Sequence, residues 1–388
     1  MNKTITIPKE WQIKKIKDLL DYERPDKYIV KSASYSDKNK IPVLTANKSF
    51  VLGYTDENFG IYKNVPVIIF DDFTTDSKFV DFPFKIKSSA IKILRSRSEQ
   101  VNIKFMYEVM KSINFPVGNH KRYYISQYQD LEVTTPPIKE QQKIAEILSC
   151  VDEDIEKTDQ IIKKTEELKR GLIQGLFIES VKFKKIKIKE ISEVTSSKRV
   201  MVSDYVNEGI PFYRSTEIIK KSKNLPIINS LHISLEKFNF FKDRFGVPEK
   251  GDLLVTAVGT IGDVYMVQDE IFYFKDGNSI WIRKIKDSIL PEYLRVILGS
   301  NFYREKLNNI AGGSSQKALT IQKLGNVEIP ISSTTEQKKI TEILSEVDNK
   351  IDINKQIKNK LTELKRGLMQ DLLSGRVRVK NPAIKWQG

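Results

Sequence analysis

The chain has 388 residues, of which 40% are hydrophobic and 30% charged, and this balance is typical of a globular protein with two or three domains. Its single cysteine excludes an internal disulfide framework, and no Cys/His cluster has metal-ligand spacing. Neither a membrane-spanning apolar run nor the apolar stretch of a signal peptide is present, so we expect a cytoplasmic protein without a membrane partner.

The net charge is the most informative bulk property. Lysine and arginine total 65 against 50 acidic residues, a surplus of +15. A surplus of this size favours a polyanionic partner, either nucleic acid or an anionic membrane surface. A lysine-rich composition without any functional meaning would give the same charge, so the charge alone does not decide between these readings.

Two segments of the chain contain short apolar or alternating runs that are bounded by Gly, Asp and Pro turn signals. Residues 1–135 include "VPVIIF" and "SAIKIL", and residues 179–330 include "GDLLVTAV" and "NSIWIRKI". Such runs predict mixed α/β (α+β) domains. The two segments also match in spacing at three places: Trp11, Ile16, Asp18 and Leu19 with Phe183, Ile188, Glu190 and Ile191; Ile41–Pro42 with Ile210–Pro211; and "KRYYISQYQDLEV" with "KALTIQKLGNVEI". The sequence therefore predicts two domains on one scaffold.

Each predicted domain is followed by a long, charged segment, and the two segments are copies of each other. Glu140–Leu176 and Glu336–Leu372 share 22 identities in 37 positions, at an offset of 196 residues. Apolar residues recur in both at three- and four-residue steps, which predicts helices within 136–178 and 331–375. Ser333 and Glu336 have the spacing of a capping box at the second helix start. A basic tail, 376–388, follows and predicts a DNA or partner contact.

A single narrow apolar stripe on so long a helix predicts that the two helices pair with each other. Because the chain order is globule, helix, globule, helix, the two helices must run antiparallel, with an internal pseudo-two-fold. The polar Thr158 and Asn354 interrupt the stripe at equivalent places, as register-setting residues do in coiled coils. The alternative is that each helix packs only on its own domain. The predicted seam consists of Ile144, Leu148, Val151, Ile155, Leu168, Leu172, Ile340, Leu344, Val347, Ile351, Leu364 and Leu368.

No segment carries a complete catalytic motif. "DFPF", at Asp81–Phe84, has Phe82 where the base-clamping tetrapeptide of adenine methyltransferases has proline. "VGTIGD" lacks a third glycine, and "GGSSQK" lacks the ending of a phosphate-binding loop. We therefore expect no catalytic residue, no metal site and no cofactor bound by this chain.

The repeated "EQQKIAEILS" and "EQKKITEILS", each closed by "LKRGL", resemble the specificity (S) subunit of type I restriction–modification systems. "KGDLLVTAVGTIGDVYMV", "GGSSQKALTIQKLGNVEIP" and "VIIFDDFTTDSKFVDFPFKIKSSAIKIL" are also similar to that family. The resemblance implies a non-catalytic subunit whose two target-recognition domains read a bipartite, asymmetric DNA sequence, with the helices as a ruler. It also implies two methyltransferase (M) subunits and further restriction/motor (R) subunits as partners, which would hold S-adenosylmethionine, ATP and Mg. The alternative is a coiled-coil scaffold whose globules bind proteins or an anionic membrane surface.

The candidate DNA contacts are side chains that can reach groove edges or phosphates, on loops at equivalent places in the two domains. For each of them, an ordinary solvated loop is the alternative. The candidates are Thr74, Thr75, Lys78, Asn119, His120, Lys121, Arg122 and Tyr123 in the first domain, and Arg214, Thr260, Ser314, Ser315, Gln316 and Lys317 in the second.

Overall fold

The computed structural model describes residues 7–46, 49–118, 121–179, 183–313 and 317–379, with the backbone alone at 176–179. The chain divides into two compact units, each of which takes part of both repeated helices. Unit 1 comprises Met1–Ile161 and Asn354–Gly388, and unit 2 comprises Ile162–Ile353. No helix of the described residues is long and apolar enough to cross a membrane.

Unit 1 contains a four-stranded antiparallel sheet, a three-stranded sheet and a separate strand pair. Its elements are β1 (Gln12–Lys15), α1 (Ile16–Leu19), β2 (Leu20–Glu23), β3 (Ile41–Leu44), β4 (Val51–Thr55), β5 (Val67–Asp71), β6 (Ser77–Val80), β7 (Lys85–Ile86), β8 (Ile91–Ser96), α2 (Ile103–Ser112), β9 (Glu132–Thr135) and the start of α3 (Ile138–Glu179). The strand orders are β2-β8-β5-β6, β4-β3-β7 and β1-β9. Strand β5 is buried on both faces, because Ile68 and Phe70 join the core under α2 while Val67 and Ile69 join the core towards Leu44.

Unit 2 repeats this plan. Its elements are β10 (Lys184–Lys187), α4 (Ile188–Ile191), β11 (Glu193–Thr195), β12 (Tyr205–Val206), β13 (Ile210–Tyr213), α5 (Ser215–Ser222), β14 (Leu231–Ile233), α6 (Leu235–Phe245), β15 (Leu253–Thr256), β16 (Val264–Met266), β17 (Tyr273–Phe274), β18 (Ser279–Arg283), α7 (Pro291–Gly299), α8 (Asn301–Ile310), α9 (Ile321–Gly325), β19 (Glu328–Ile331) and the start of α10 (Thr334–Leu373). The strand orders are β11-β18-β15-β16, β12-β14-β13-β17 and β10-β19.

The two units share the scaffold that the sequence predicts. Strands β3 and β13 each pair in parallel with a two-residue strand, β7 and β17, and antiparallel with β4 and β14. The strand–helix start β1–α1 recurs as β10–α4. The predicted fold class, two α+β domains with an internal repeat and two long helices, is confirmed. The main difference is that helices α5 and α6 lie before and after β14 in unit 2, whereas the described segments on either side of β4 in unit 1 contain no helix.

Both long helices begin where the sequence provides a stop for the preceding strand. Helix α3 follows Pro136–Pro137, and the Pro137 carbonyl accepts hydrogen bonds from the N–H groups of Glu140 and Gln141. At the start of α10 the Ser333 N–H donates to Glu336 Oε2 at 3.0 Å, and the Glu336 N–H donates to Ser333 Oγ at 3.3 Å. The capping box is therefore present.

A buried glutamine docks each helix start on its unit by the same three hydrogen bonds. Gln141 Oε1 accepts from the Asn102 N–H, and its Nε2 donates to the carbonyls of Gln100 and Pro136. Gln337 makes the equivalent bonds to the Leu290 N–H and to the carbonyls of Ser288 and Ser332. Both copies of the repeat carry this glutamine because its amide satisfies buried backbone groups of the preceding domain.

Within unit 1 the two helices pair antiparallel. Asp152 meets Lys365 at 2.5 Å and Asp159 meets Lys358 at 2.7 Å, so a step of seven residues forward on α3 is a step of seven back on α10. Within unit 2, Lys169 meets Asp348 at 2.5 Å.

The predicted seam is wrong at Leu168 and Leu364, whose exposed fractions are 55% and 51%. The prediction followed the most apolar residues through Ile161 and Ile357, which are exposed too. Antiparallel paired helices repeat every seven residues, so the position after Thr158 is Ile162. Thr158, Ile162 and Thr165 are indeed buried, and so is Lys365 on the other helix. The middle of the seam is therefore partly polar.

The described part of the basic tail makes ion pairs within unit 1. Arg376 contacts Asp371 at 3.0 Å. Arg378 contacts Glu10 and, through Nε and Nη2, both oxygens of Glu140 at 2.8 and 2.9 Å. These two arginines thus contact unit 1 itself, and a contact of the tail with DNA or a partner stays a prediction. Residues 380–388 lie outside the described residues.

Candidate nucleic-acid interface

In unit 1 the hairpin between β5 and β6 holds two of the candidate residues on a fixed loop. The Asp71 N–H donates to the Asp76 carbonyl at 2.9 Å, and the Thr75 N–H donates to the Asp71 carbonyl at 3.0 Å. The Asp71 carboxylate accepts the N–H groups of Phe73 and Thr74 at 2.9 and 3.0 Å. Thr75 has a φ of 60°, a left-handed conformation that is strained for a β-branched residue.

A second candidate segment is fastened to this hairpin through Asp72. The Asp72 carbonyl accepts the Tyr123 N–H at 2.9 Å, and its carboxylate accepts the Tyr124 N–H at 2.8 Å. The Arg122 guanidinium lies over the Phe73 ring, 5.7 Å from its centroid. The structure therefore brings Thr74, Thr75, Lys121 and Arg122 to one edge of the sheet, while Lys78 lies on the adjoining strand β6.

Tyr123 is not available to DNA, which corrects its assignment as a contact. Its side chain is only 3% exposed, its hydroxyl accepts the Gly118 N–H at 2.5 Å, and its ring packs on Phe115 with centroids 5.3 Å apart. Tyr123 thus fixes the segment that carries Arg122. Asn119 and His120 lie outside the described residues.

Unit 2 builds the same backbone frame from different side chains. The Thr256 N–H donates to the Asp263 carbonyl and the Gly262 N–H to the Thr256 carbonyl, both at 3.0 Å. The Ala257 carbonyl accepts the Leu319 N–H at 2.8 Å, as the Asp72 carbonyl accepts the Tyr123 N–H in unit 1. Thr260 in this hairpin and Lys317 beside it are exposed. Ser314, Ser315 and Gln316 lie outside the described residues.

Arg214 reaches the same edge of unit 2 from the end of β13. The Asn278 carbonyl accepts both the Ser215 hydroxyl at 3.4 Å and the Ala257 N–H at 2.9 Å, which joins the start of α5 to the hairpin. Glu217 holds the Arg214 Nε and Nη2 at 3.2 and 3.1 Å. Burial would raise the pKa of Glu217, but the hydrogen bonds from Arg214 outweigh it and lower the pKa, so the pair is ionised.

The chemistry available at both edges is hydrogen-bond donation by cations and hydroxyl groups. Arginine and lysine bind phosphate oxygens and guanine edges, and threonine hydroxyls serve several bases. Among the described residues, no cluster of three or more His, Cys, Asp and Glu is placed to hold a metal ion.

Two further cations beside Arg122, Arg24 and Lys92, escape the sequence reasoning. Arg24 lies in the turn after β2 and Lys92 lies inside β8, so neither belongs to a polar loop that repeats in both domains. The only local signal is a lysine within the otherwise apolar run "AIKIL", which predicts a buried charge with a partner. The partner, Asp72, becomes visible only through the pairing of β5 with β8.

Comparisons with known proteins agree with this two-part arrangement. The family model described as type I restriction modification DNA specificity domain matches residues 8–167 and again residues 180–363. The EcoR124I/EcoR124II specificity subunit of Escherichia coli is 47% identical over 124 residues, 31% of each chain. The MjaVIII specificity subunit of Methanocaldococcus jannaschii is 21% identical over an alignment that covers 97% of this chain and 95% of that relative.

Solved structures show the same fold. The type I restriction–modification S subunit from M. genitalium superposes with a TM-score of 0.63 at 19% identity, covering 96% of this chain and 97% of the other. A chain from a study of complex assembly and conformational transition in the type I system gives a TM-score of 0.55 at 14% identity, covering 96% and 100%. The chain therefore belongs to the type I restriction–modification DNA specificity family and is a specificity subunit with two DNA specificity domains.

Proposed function

We propose that units 1 and 2 each read one half of a bipartite, asymmetric DNA target, and that α3 and α10 hold the two recognition domains at a fixed spacing. The observation that carries this proposal is the shared backbone frame with unlike side chains at its edge. Unit 1 presents Thr74, Thr75 and Arg122, whereas unit 2 presents Thr260 and Lys317 on the equivalent hairpin and segment. Two readers with different side chains recognise different bases, so the target is asymmetric.

The chain itself does no chemistry in this proposal. Its relatives are specificity subunits, and its nearest approaches to methyltransferase and nucleotide-binding motifs are incomplete. The methyltransferase subunits would hold S-adenosylmethionine and the flipped adenine, and the restriction/motor subunits would hold ATP and Mg. The role of this chain is to choose the site and to assemble the enzyme subunits there.

Exposed leucines and isoleucines on the two helices support a complex with two methyltransferase subunits. Leu168 and Leu364 are equivalent positions of the repeat, as are Ile161 and Ile357, and all four are exposed. On α3, Ile161 and Leu168 lie seven residues apart and so share one face of the helix, and the same holds for Ile357 and Leu364 on α10. Because the same apolar surface occurs once in each copy, it offers two similar docking sites.

The test is to co-express the chain with its methyltransferase partner and to map the methylated sequences. We expect a two-part motif with a constant gap. Arg122→Ala should alter or weaken recognition of one half only, and Lys317→Ala the other half only, each by about 1–3 kcal/mol. Arg97→Ala and Lys286→Ala are matched controls, because both side chains are exposed and lie away from the hairpin edges.

Two results would contradict the proposal. One is a continuous motif, or none, in the methylation map of the parent complex. The other is DNA affinity that does not fall as salt rises, because phosphate contacts release counterions. The latter result would favour a protein-binding scaffold.

A further inference from the structure

A cleft of about 350 Å³ opens in unit 1 directly beside the hairpin that carries Thr74 and Thr75. Its charged lining consists of Arg24, Asp26, Asp72, Lys92 and Arg122. The floor is an ion pair between Lys92 Nζ and Asp72 Oδ2 at 3.3 Å, and these residues are only 6% and 1% exposed. The cleft is therefore a concave site with a buried charged floor, continuous with the candidate DNA-binding edge.

Two arginines, Arg24 and Arg122, lie at the rim of the cleft. Arg24 comes from the turn after β2, and Arg122 comes from the segment fastened to Asp72. Both are exposed, and the part of the chain that the structure describes gives neither guanidinium a carboxylate within ion-pair distance. The Phe73 ring supports the Arg122 guanidinium from one side. Three cations thus converge on a cleft that has two carboxylates.

Unit 2 shows that the fold does not need these charges. Phe70 pairs with Lys92 in unit 1, as Val255 pairs with Ile280 in unit 2. Asp72 and Ala257 both accept the N–H of the segment that follows. The buried ion pair of unit 1 is therefore an alanine and an isoleucine in unit 2, and both belong to its hydrophobic core.

The residue equivalent to Arg122 is Ala318, by the 196-residue offset of the repeat. A buried ion pair is no more stabilising than apolar residues of similar volume. The ion pair is thus not needed to hold strands β5 and β8 together, although the Asp72 carboxylate also accepts the Tyr124 N–H.

We propose that this cleft binds a phosphate group of the DNA backbone beside the half-site that unit 1 reads. The inference rests on the proposed function and adds to it an anchoring contact that unit 2 lacks. Arg24 would donate to the phosphate oxygens, because the planar guanidinium suits an oxyanion. Arg122, at the same rim, adds positive charge beside the phosphate while it reads the half-site. Lys92, held by Asp72, adds positive charge from the floor. The volume admits the phosphate with its adjoining sugar.

The first test measures binding of target DNA by the complex with the methyltransferase subunits. Arg24→Ala should lower affinity about tenfold for target and non-target DNA alike, and should reduce the slope of log affinity against log salt by about one. Arg97→Ala removes the same charge from the opposite end of the same sheet and should change neither quantity. The methylated motif should be identical in all three complexes.

The second test locates the phosphate. Target duplexes carry a neutral methylphosphonate at one linkage at a time along the half-site assigned to unit 1. We expect one linkage whose neutralisation weakens the parent complex but leaves Arg24→Ala unaffected. A double variant, Asp72→Asn with Lys92→Ile, removes both charges of the floor and keeps an acceptor for the Tyr124 N–H. It should fold with an unchanged melting temperature and show a smaller loss at that linkage.

The inference is overturned if Arg24→Ala and the double variant bind DNA as the parent does, which would also be the result if the cleft took a free phosphate compound instead. It is overturned as well if Arg24→Ala changes the methylated bases, because the cleft would then read a base. Failure of the proposed function is seen separately, as the absence of a two-part motif in the parent complex.

Discussion

Asp152 of α3 forms an ion pair with Lys365 of α10 in unit 1, and the repeat forms it again in unit 2 with the helices exchanged, as Lys169 with Asp348. The offset of 196 residues relates Asp152 to Asp348 and Lys169 to Lys365. One aspartate and one lysine, written twice, therefore specify the register of the antiparallel helices in both units. Polar seam residues of this kind favour one register because a shift would separate the paired charges.

Lys365 has a second carboxylate partner in addition to Asp152. Its Nζ lies 3.1 Å from Oε2 of Glu108, a fully buried residue of α2. Burial by itself would lower the pKa of Lys365. The hydrogen bond to Asp152 and the charges of Glu108 and Asp152 outweigh burial and raise the pKa above its usual value, so the lysine is charged. Glu108 lies six residues after Asn102, whose N–H donates to Gln141. In unit 2 the equivalent N–H donor to Gln337 is Leu290, so the residue equivalent to Glu108 is Val296.

The first prediction follows from this difference. Lys365→Met should lower the free energy of unfolding of unit 1 by about 3–5 kcal/mol, because it leaves the Glu108 carboxylate buried and unpaired. Glu108→Val, which copies unit 2, should cost no more than about 1 kcal/mol since Lys365 keeps Asp152. Denaturant unfolding of the two variants beside the parent measures both values. A larger loss for Glu108→Val than for Lys365→Met would contradict the interpretation.

The repeat explains why much of this architecture could be predicted from the sequence. Helical periodicity and capping are local, so the two helices and the Ser333–Glu336 box follow from neighbouring residues. The prediction that Leu168 lies in the helix seam is wrong, because it followed the hydrophobicity of the side chain. The buried Thr158 and Ile162 show that the seam follows the seven-residue period instead. In a partly polar seam, spacing is a better guide than apolar character.

The site was less predictable, because its residues meet only through the sheet. Arg24 and Arg122 are 98 residues apart in the sequence and become neighbours through the packing around Asp72. Tyr123 lies in a basic, polar stretch that is typical of a DNA contact. Only its tertiary contact with Phe115 reveals that its side chain is buried. Polarity singled out loops that the structure brings to one edge of the sheet, but it could not tell which side chains face outwards.

The second prediction concerns pH. Burial would raise the pKa of Glu140, but the hydrogen bonds from Arg378 and Trp11 outweigh it and lower the pKa below the usual 4.5. A carboxylate with a lowered folded-state pKa contributes stability above the unfolded-state pKa and loses it as pH falls through the folded-state value. Glu140→Gln should therefore cost about 1–3 kcal/mol between pH 5 and pH 8, with the difference from the parent shrinking below about pH 4.5.

Thermal unfolding of both proteins across this pH range measures the difference. Glu336→Gln is the matched control at the equivalent repeat position. Glu336 is exposed and accepts hydrogen bonds only from Ser333 in the described structure, and glutamine also closes a capping box. A Glu140→Gln effect that persists unchanged at pH 3 would show that the carboxylate charge is not responsible.

The third prediction concerns the strained Thr75. Its left-handed backbone corresponds to that of Gly262 in the hairpin of unit 2, where φ is 88°. A left-handed conformation costs an L-residue about 1–2 kcal/mol, and glycine relieves this at a smaller entropic cost. Thr75→Gly should thus stabilise unit 1 by up to about 1 kcal/mol in denaturant unfolding.

The same substitution separates folding from recognition. If the Thr75 hydroxyl contacts DNA, Thr75→Gly and Thr75→Ala should both weaken binding of the target, although only the glycine variant is more stable. Thr74→Ala tests the neighbouring hydroxyl on the same loop. A loss of stability in Thr75→Gly would show that the threonine side chain, rather than its backbone conformation, supports the hairpin.

The last prediction uses the register of the helices to test whether they set the spacing of the half-sites. The internal symmetry of the repeat falls between Gln160 and Ile161 on α3 and between Gln356 and Ile357 on α10. Four residues inserted at both points leave Asp152–Lys365, Asp159–Lys358 and Lys169–Asp348 able to form, because each partner moves with the other. The inserted turn adds about 6 Å of helix.

Since base pairs rise about 3.4 Å along the DNA axis, we expect the unspecified gap in the methylated motif to lengthen by about one to two base pairs. The bases of both half-sites should not change, because neither recognition domain is altered. The same insertion in α3 alone breaks the register of the ion pairs and should weaken assembly and methylation. Methylation mapping of the three complexes compares these outcomes directly. A gap of the parent length in an active double-insertion complex would mean that something other than the helices determines the distance between the half-sites.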